Sequence, residues 1–484
     1  MDEQKPELEK KLHIVIFPWL AIGHLIPFFH LSVSLAKKGV HISFVSTPKN
    51  LQKIPKIPQN LSSFVTLVSI PLTHDPKNLP ESAESSNDIP IEKTQYLKKA
   101  FDGLESPLTN YLINSKPDYI IHDYASYWVP KISENLGIPC VFFAVFTGSF
   151  MGFIGPPEVL LDEVRDRNLK PEDFTTTPKW ITFPTDIVYR THEVLEYFKG
   201  APPQDDQTHN CSDDLENDGY KAVPDTRRFG MVIRASNFIA IRSSVEFESD
   251  WLSLLNQLYR KPVIPLGFLP PPPLVENQEE GKNWVEIKTW LDKQRKGSVI
   301  YVALGTEAAL SQEQVNELAI GLESSGLPFF WVLRKPLNNS EQSLPSGFED
   351  RTSGRGLVYM KWAPQVKILG HPSIGGFLTH CGYNSVIEGL AFGRVLVLLP
   401  MLNDQGLNSR LLEGEKVGVE VQRNEQDGSF SSESVAEAVK IAMVADEGQV
   451  LRNNAKEMIE IFGNEKLNVS YVNDFIKFLK KHKN

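Results

Sequence analysis

The part of this 484-residue chain best equipped for chemistry lies in its C-terminal third. The apolar run IGGFLTH ends at His380 and passes through Cys381–Gly382–Tyr383–Asn384–Ser385 straight into VIEGLAF. A strand end, a glycine turn, small polar side chains and a fresh helix start together make an anion cradle, to which His380 adds a donor for a phosphate. Ser385 and Glu388 also fit the capping box S-x-x-E, in which both side chains only tie off the helix start. Trp362, followed by Ala363–Pro364–Gln365, sets an aromatic plane beside an amide, a pair able to stack a base and read its edge. Packing in a domain core is the commoner fate of a tryptophan. VLVLLP closes at Pro400, and Met401–Leu402–Asn403–Asp404–Gln405 then offers polar groups suited to sugar hydroxyls. Asp404 suits equally the N-cap of the helix GLNSRLLEGE.

A second pair lies near the N-terminus. His24 sits in WLAIGHLIPF, just past the first apolar run, and Asp123 ends YIIHD, 99 residues later. Histidine takes up a proton near neutral pH. A carboxylate on the same rim orients the ring and stabilises its protonated form, as in a hydrolase triad. A histidine at a helix start also serves as a cap or packing residue, and His122 is read as structural. The chain has no GxGxxG, GxxxxGK[ST], GxSxG or HExxH, so dinucleotide, triphosphate, serine-hydrolase and zinc-protease readings lose their sequence support.

The surrounding elements place both groups. HIVIFPW (13–19) reads as a buried strand and HISFVST (41–47), FVTLVSI (64–70), YIIHD (119–123) and CVFFAV (140–145) as further strands, with helices over HLIPFFHLSVSLAKKG and YASYWVPKISENLG. The alternation restarts with SVIYVAL (298–304), FFWVLR (329–334), GLVYMKW (356–362), IGGFLTH (374–380), VLVLLP (395–400) and VGVEV (417–421). Strands alternating with helices imply an α/β fold of doubly wound, mostly parallel sheets. The middle is less regular: residues 203–219 carry six acidic side chains and no Lys or Arg, the pattern of a solvated loop. The prolines at 270–273 favour an extended spacer. The expected layout is an N-terminal Rossmann-like domain over 1–264, a linker over 265–283, a second Rossmann-like domain over 284–460, and a terminal helix in 461–484 packing back on the first domain. Such halves face each other across a cleft, and a ligand belongs at the carboxyl ends of the strands.

Composition narrows the class. With 41% hydrophobic and 23% charged residues the chain is neither disordered nor a disulfide scaffold. Sixty acidic against fifty basic side chains give a net charge of −10, which disfavours nucleic acid or anionic membrane as partner. Cys140, Cys211 and Cys381 are too few and scattered for a disulfide framework or a zinc cluster. MDEQKPELEKK lacks the features of a signal peptide, and no apolar stretch is long enough to span a bilayer. A cytoplasmic, monomeric enzyme is expected.

From Trp362 to Gln405 the chain reads WAPQVKILGHPSIGGFLTHCGYNSVIEGLAFGRVLVLLPMLNDQ, 44 residues that closely resemble the signature of plant family 1 uridine-diphosphate glycosyltransferases. The resemblance extends to the two-domain layout and implies the GT-B fold. It implies that Trp362 stacks on uracil beside Ala363, that Gln365 approaches the base or ribose, and that Glu388 holds the ribose diol. It assigns His380, Gly382, Asn384 and Ser385 to the diphosphate, Gly305–Thr306 to the neighbourhood of the β-phosphate, and Asp404 and Gln405 to the transferred sugar, most often glucose. His24 is then the base and Asp123 its orienter, in a single displacement with inversion that needs no metal and no resident cofactor, the UDP-sugar being a co-substrate. Two positions depart from the pattern. Tyr383 replaces the usual Trp beside sugar and phosphate, which keeps UDP-rhamnose and UDP-xylose open as donors, and Gly393–Arg394–Val395 replaces Gly-x-Pro away from the donor. IRSSVEFE (241–248), GFLPPPP (267–273) and YVALGTEAALSQEQ (301–314) resemble the subgroup that adds a sugar to a sugar of a glycoside, here of a terpenoid or flavonoid. Direct glycosylation of an aglycone is the alternative within the class, and a nucleotide-sugar-binding protein without transferase activity is the alternative outside it. The Phe-rich stretch 142–153 fits an apolar acceptor wall or ordinary core.

Overall fold

A computed structural model of the chain describes residues 12–73, 77–163, 170–198, 223–271, 282–305, 310–334 and 343–483. Seven short apolar runs form the first sheet: β1 (His13–Phe17), β2 (His41–Ser46), β3 (Val65–Ser69), β4 (Tyr119–His122), β5 (Cys140–Ala144), β6 (Phe238–Ile241) and β7 (Val263–Pro265). Their order is β3-β2-β1-β4-β5-β6-β7, and every pairing is parallel. Successive side chains alternate between faces: Ile14 and Ile16 join Leu25 and Phe28 on one side, while Val15 and Phe17 join Phe101 and Trp128 on the other.

The second sheet comprises β8 (Val299–Ala303), β9 (Phe329–Val332), β10 (Gly356–Tyr359), β11 (Ile374–Thr379), β12 (Val395–Leu398) and β13 (Gly418–Glu420). Its order, β10-β9-β8-β11-β12-β13, repeats the doubly wound pattern. In each sheet the chain leaves the central strand in one direction and returns to its other side, so the β1/β4 and β8/β11 junctions are topological switch points. In sheets of this kind ligands bind at the carboxyl ends of the strands beside such points.

Both α/β halves agree with the sequence reading, whereas the middle is more regular than expected. β6 and β7, with the helices Asp225–Ala235 and Val245–Tyr259, extend the first sheet. These strands are only 4 and 3 residues long, too short to show a period in the sequence. The acidic stretch 203–219, Cys211 and the later part of the proline run lie outside the described residues.

One apolar cluster spans the two halves. Phe153, Trp251 and Phe268 pack with Leu407, Leu411 and Phe462, and the rings of Phe268 and Phe462 stack with centroids 3.9 Å apart. The helix Glu465–Lys481 lays Val472, Phe475 and Leu479 on the first sheet's Ile14 face, and the Tyr119 hydroxyl donates to the Leu479 carbonyl at 2.8 Å. Leu266, Phe268 and Leu269, at the start of the expected linker, are buried in this junction.

Candidate active site

β1 and β4 pair with Phe17 opposite His122, so the residues that follow each strand emerge together. The chain after β1 turns at Trp19–Ala21 into the helix Ile22–Ala36, which carries His24 in its first turn. Asp123 follows β4 directly. Its Oδ2 lies 2.8 Å from His24 Nδ1 and accepts the Trp19 N–H at 3.0 Å, while Oδ1 accepts the Tyr124 N–H at 2.8 Å. The carboxylate is fully buried, and these hydrogen bonds offset its loss of water. An acceptor at Nδ1 puts the ring proton there and leaves Nε2 as the basic nitrogen, in a side chain still 14% exposed. Tyr124 and Phe146 flank the ring at centroid distances of 5.7 and 5.5 Å. A buried carboxylate, an oriented imidazole and an apolar surround suit removal of a proton from a hydroxyl. His122, one residue earlier, is buried, bonds Ser126 and Ser236, and is pushed down to about 4 chiefly by burial, so it stays neutral.

The Phe-rich stretch is only partly core. Phe142, Phe143 and Phe153 are core, whereas Phe146 and Phe150 are half-buried and stack at 4.8 Å beside His24.

Across the cleft, β11 ends at Thr379, and the chain runs through His380 and Cys381 to Gly382, the N-cap of the helix Tyr383–Ala391. The first N–H groups of that helix have no intrahelical acceptor and form an electropositive end. The His380 ring is wedged between two glycines. A Cβ on Gly305, where φ is +76°, would come within 2.5 Å of His380 Nε2, and a Cβ on Gly382 would collide with the same atom. Burial pushes the imidazole down to about 4, and its Nδ1 has no hydrogen-bond partner among the described residues. A buried ring nitrogen without a partner is costly to hold, and this one lies beside a helix start. Thr306 lies outside the described residues.

Ser385 is the third residue of the helix rather than its N-cap, so no capping box forms. Ser385 and Glu388 instead accept from Gln365 Nε2, at 3.1 and 2.8 Å, while the Tyr301 hydroxyl donates to Gln365 Oε1 at 3.3 Å. Burial raises the Glu388 carboxyl, opposed by the Gln365 hydrogen bond and by Arg242. Trp362 is 69% exposed, which excludes the core reading, and Ala363 beside it is half-buried. Asp404 occupies the N-cap of Gln405–Gly414 without a side-chain cap bond; its Oδ2 accepts from Asn408 Nδ2 at 2.8 Å. Gln405 turns Oε1 to the N–H groups of Met401 and Leu402, both at 2.9 Å.

The two departures from the signature are both engaged within the fold. The Tyr383 hydroxyl donates to the Arg242 carbonyl at 3.0 Å. Arg394 donates to the carbonyls of Leu369 and Ile374, away from the cradle.

Several residues at the cleft carried no signal in the signature. Asn384 Nδ2 donates to the Gly23 carbonyl at 3.0 Å, and its Oδ1 accepts from Arg242 Nη1. Thr147 Oγ1 donates to Asn408 Oδ1 at 3.1 Å, which links the first domain to the residue that bonds Asp404. A charged residue closing the apolar run FIAI was the available hint for Arg242. Among the described residues no group of three His, Cys, Asp or Glu is gathered to hold a metal ion, and no helix is long and apolar enough to cross a membrane.

Two doubly wound domains whose switch points face each other, one bearing a His–Asp pair and the other an anion cradle, define a GT-B glycosyltransferase. Residues 280–466 match the model of the family "UDP-glucoronosyl and UDP-glucosyl transferase". UDP-glycosyltransferase 91C1 of Arabidopsis thaliana is 49% identical, over 98% of this chain and 97% of that protein. Soyasaponin III rhamnosyltransferase of Glycine max is 43% identical, over 98% and 97%. The solved structure of Phytolacca americana UGT2 complexed with UDP-2fluoro-glucose and pterostilbene superposes with a TM-score of 0.71 at 25% identity, over 97% of this chain and 100% of that one. The chain belongs to the plant family 1 UDP-glycosyltransferases.

Proposed function

We propose that this UDP-glycosyltransferase moves a sugar from a UDP-sugar to a sugar hydroxyl of a terpenoid or flavonoid glycoside, with inversion and without a metal. The observation that carries the proposal is the His24–Asp123 pair, joined at 2.8 Å and placed across the cleft from the helix start at Tyr383. His24 Nε2 takes the proton of the acceptor hydroxyl, and Asp123 stabilises the imidazolium that forms. The acceptor oxygen attacks the anomeric carbon from the face opposite the diphosphate. UDP departs as its charge is met by the N–H groups of Tyr383–Ser385, the Asn384 amide and the neutral His380 ring, held ready before the reaction.

In this reading the exposed Trp362 face takes uracil and Glu388, steadied by Gln365, takes the ribose diol. Asp404 and Gln405 meet the sugar. Gln405 favours glucose as the donor sugar, while the Soyasaponin III rhamnosyltransferase relative supports testing rhamnose beside it. That relative's name also supports a glycoside acceptor. Phe146 and Phe150 give the acceptor an apolar wall next to the base. The test is incubation with labelled UDP-glucose, UDP-rhamnose and UDP-xylose against aglycones and their glycosides, followed by linkage analysis. Acceptor-dependent UDP release, greatest with glycosides, is the expected result. Donor binding without release would leave a binding protein, and preference for aglycones would overturn the acceptor assignment.

A further inference from the structure

Arg242 closes β6 and is 2% exposed, yet among the described residues no carboxylate forms an ion pair with it. Its acceptors are neutral: Nε donates to the Phe268 carbonyl at 2.7 Å, Nη2 to the Leu269 carbonyl at 3.4 Å, and Nη1 to Asn384 Oδ1. Burial lowers its pKa to about 10, so the guanidinium stays charged at neutral pH. His30 beside it is pushed down to about 3, by burial first and then by Arg242, and adds no negative charge. Glu388, a carboxylate whose charge the guanidinium feels, is engaged by Gln365. A buried cation without a counter-ion is unfavourable unless an anion arrives to complete it.

Geometry indicates where that anion binds. Arginine has donors only, so its contact with Asn384 fixes which end of the amide is the oxygen. Asn384 Oδ1 therefore faces Arg242, and Nδ2 faces the Gly23 carbonyl and the cleft, with a second N–H left to donate. With Arg242 absent, the same amide is able to turn an oxygen towards an arriving phosphate.

Resting on the UDP-sugar reading of the cleft, we propose that Arg242 is a positioning residue for the donor diphosphate. It orients the Asn384 amide and supplies from the acceptor domain the positive charge that the anion cradle of the other domain lacks. Because the cation and the cradle belong to different domains, affinity for the diphosphate depends on the two staying docked.

The test compares UDP with uridine by calorimetry. Wild type should bind UDP more tightly than uridine; equal binding would remove the donor reading and this inference with it. Arg242→Met should weaken UDP about tenfold or more while leaving uridine within about twofold, and Arg242→Lys should recover most of the loss. Equal weakening of both ligands would indicate a merely structural role, and unchanged UDP affinity would overturn the proposal outright. Should Arg242→Met not fold, Arg242→Gln removes the charge while keeping a polar side chain: UDP affinity must fall with uridine held, and an unchanged UDP affinity again overturns the proposal.

Discussion

Asn384 donates its side-chain amide to the carbonyl of Gly23, the residue immediately before His24, at 3.0 Å. One hydrogen bond thus ties the start of the helix Tyr383–Ala391 to the first turn of the helix that carries His24. In the proposed reaction the base and the leaving-group site come from different domains, and this contact would set their separation directly. Thr147 with Asn408 makes a second link between the two halves, and Asn408 also binds Asp404. Such fixed placement keeps the reacting groups from having to reorganise as charge develops.

His24→Ala should abolish transfer while UDP affinity is retained, since no donor-side group is removed. Asp123→Asn should lower kcat by about 10²- to 10⁴-fold, because an amide that turns its N–H to Nδ1 favours the wrong tautomer. Steady-state turnover beside UDP calorimetry checks both. Near-normal turnover in His24→Ala would sink the assignment.

Trp362 offers a cleaner dissection, because its side chain is 69% exposed and supports little of the core. Trp362→Ala should weaken UDP and uridine alike, by about 1–3 kcal/mol for one lost stacking partner. The melting temperature should barely move. Loss of UDP binding with uridine unaffected would show that the ring does not meet the base.

How legible these features were in the sequence depended on how local their signals are. β1 to β5 and β8 to β13 are continuous apolar runs between turn signals, and the cradle sits in one unbroken segment. Trp362 and the Ser385–Glu388 pair each had two readings there. Exposure excluded the core for the first, and the position of Gly382 as N-cap excluded a capping box for the second. Arg242, Gly23 and Thr147 were not legible, because their importance lies in contacts with Asn384 and Asn408, between 142 and 361 positions away in the chain. β6 and β7 were lost for another reason: they are too short to show a period and take their stability from pairing with a sheet already formed.

Gln405 has separable functions. Its Oε1 secures the loop through the N–H groups of Met401 and Leu402. Gln405→Glu keeps that acceptor and converts the amide Nε2 into a second oxygen, so it should alter ranking among UDP-sugars while acceptor ranking and the fold persist. Competition assays with mixed donors read this directly. Equal loss across all donors, with their ranking unchanged, would contradict a sugar contact.

Three histidines disfavoured in their charged form contribute to the pH dependence of stability. His30 is held down to about 3, and His122 and His380 to about 4, with burial the leading cause in each. Unfolded, each titrates near 6.5, so between pH 6.5 and 4 the unfolded chain takes up protons that the folded one refuses. Their stabilising effect is therefore complete above pH 6.5 and is lost as pH falls. Linkage gives about 1.4 kcal/mol per pH unit for each histidine inside that window, or about 2 kcal/mol each between pH 7 and 5. Urea unfolding at the two values should show the drop. His122→Gln, which lies outside the donor site and cannot take up the proton, should shrink it by about one histidine's share, and an identical drop in variant and wild type would show that His122 is not buried in the neutral form.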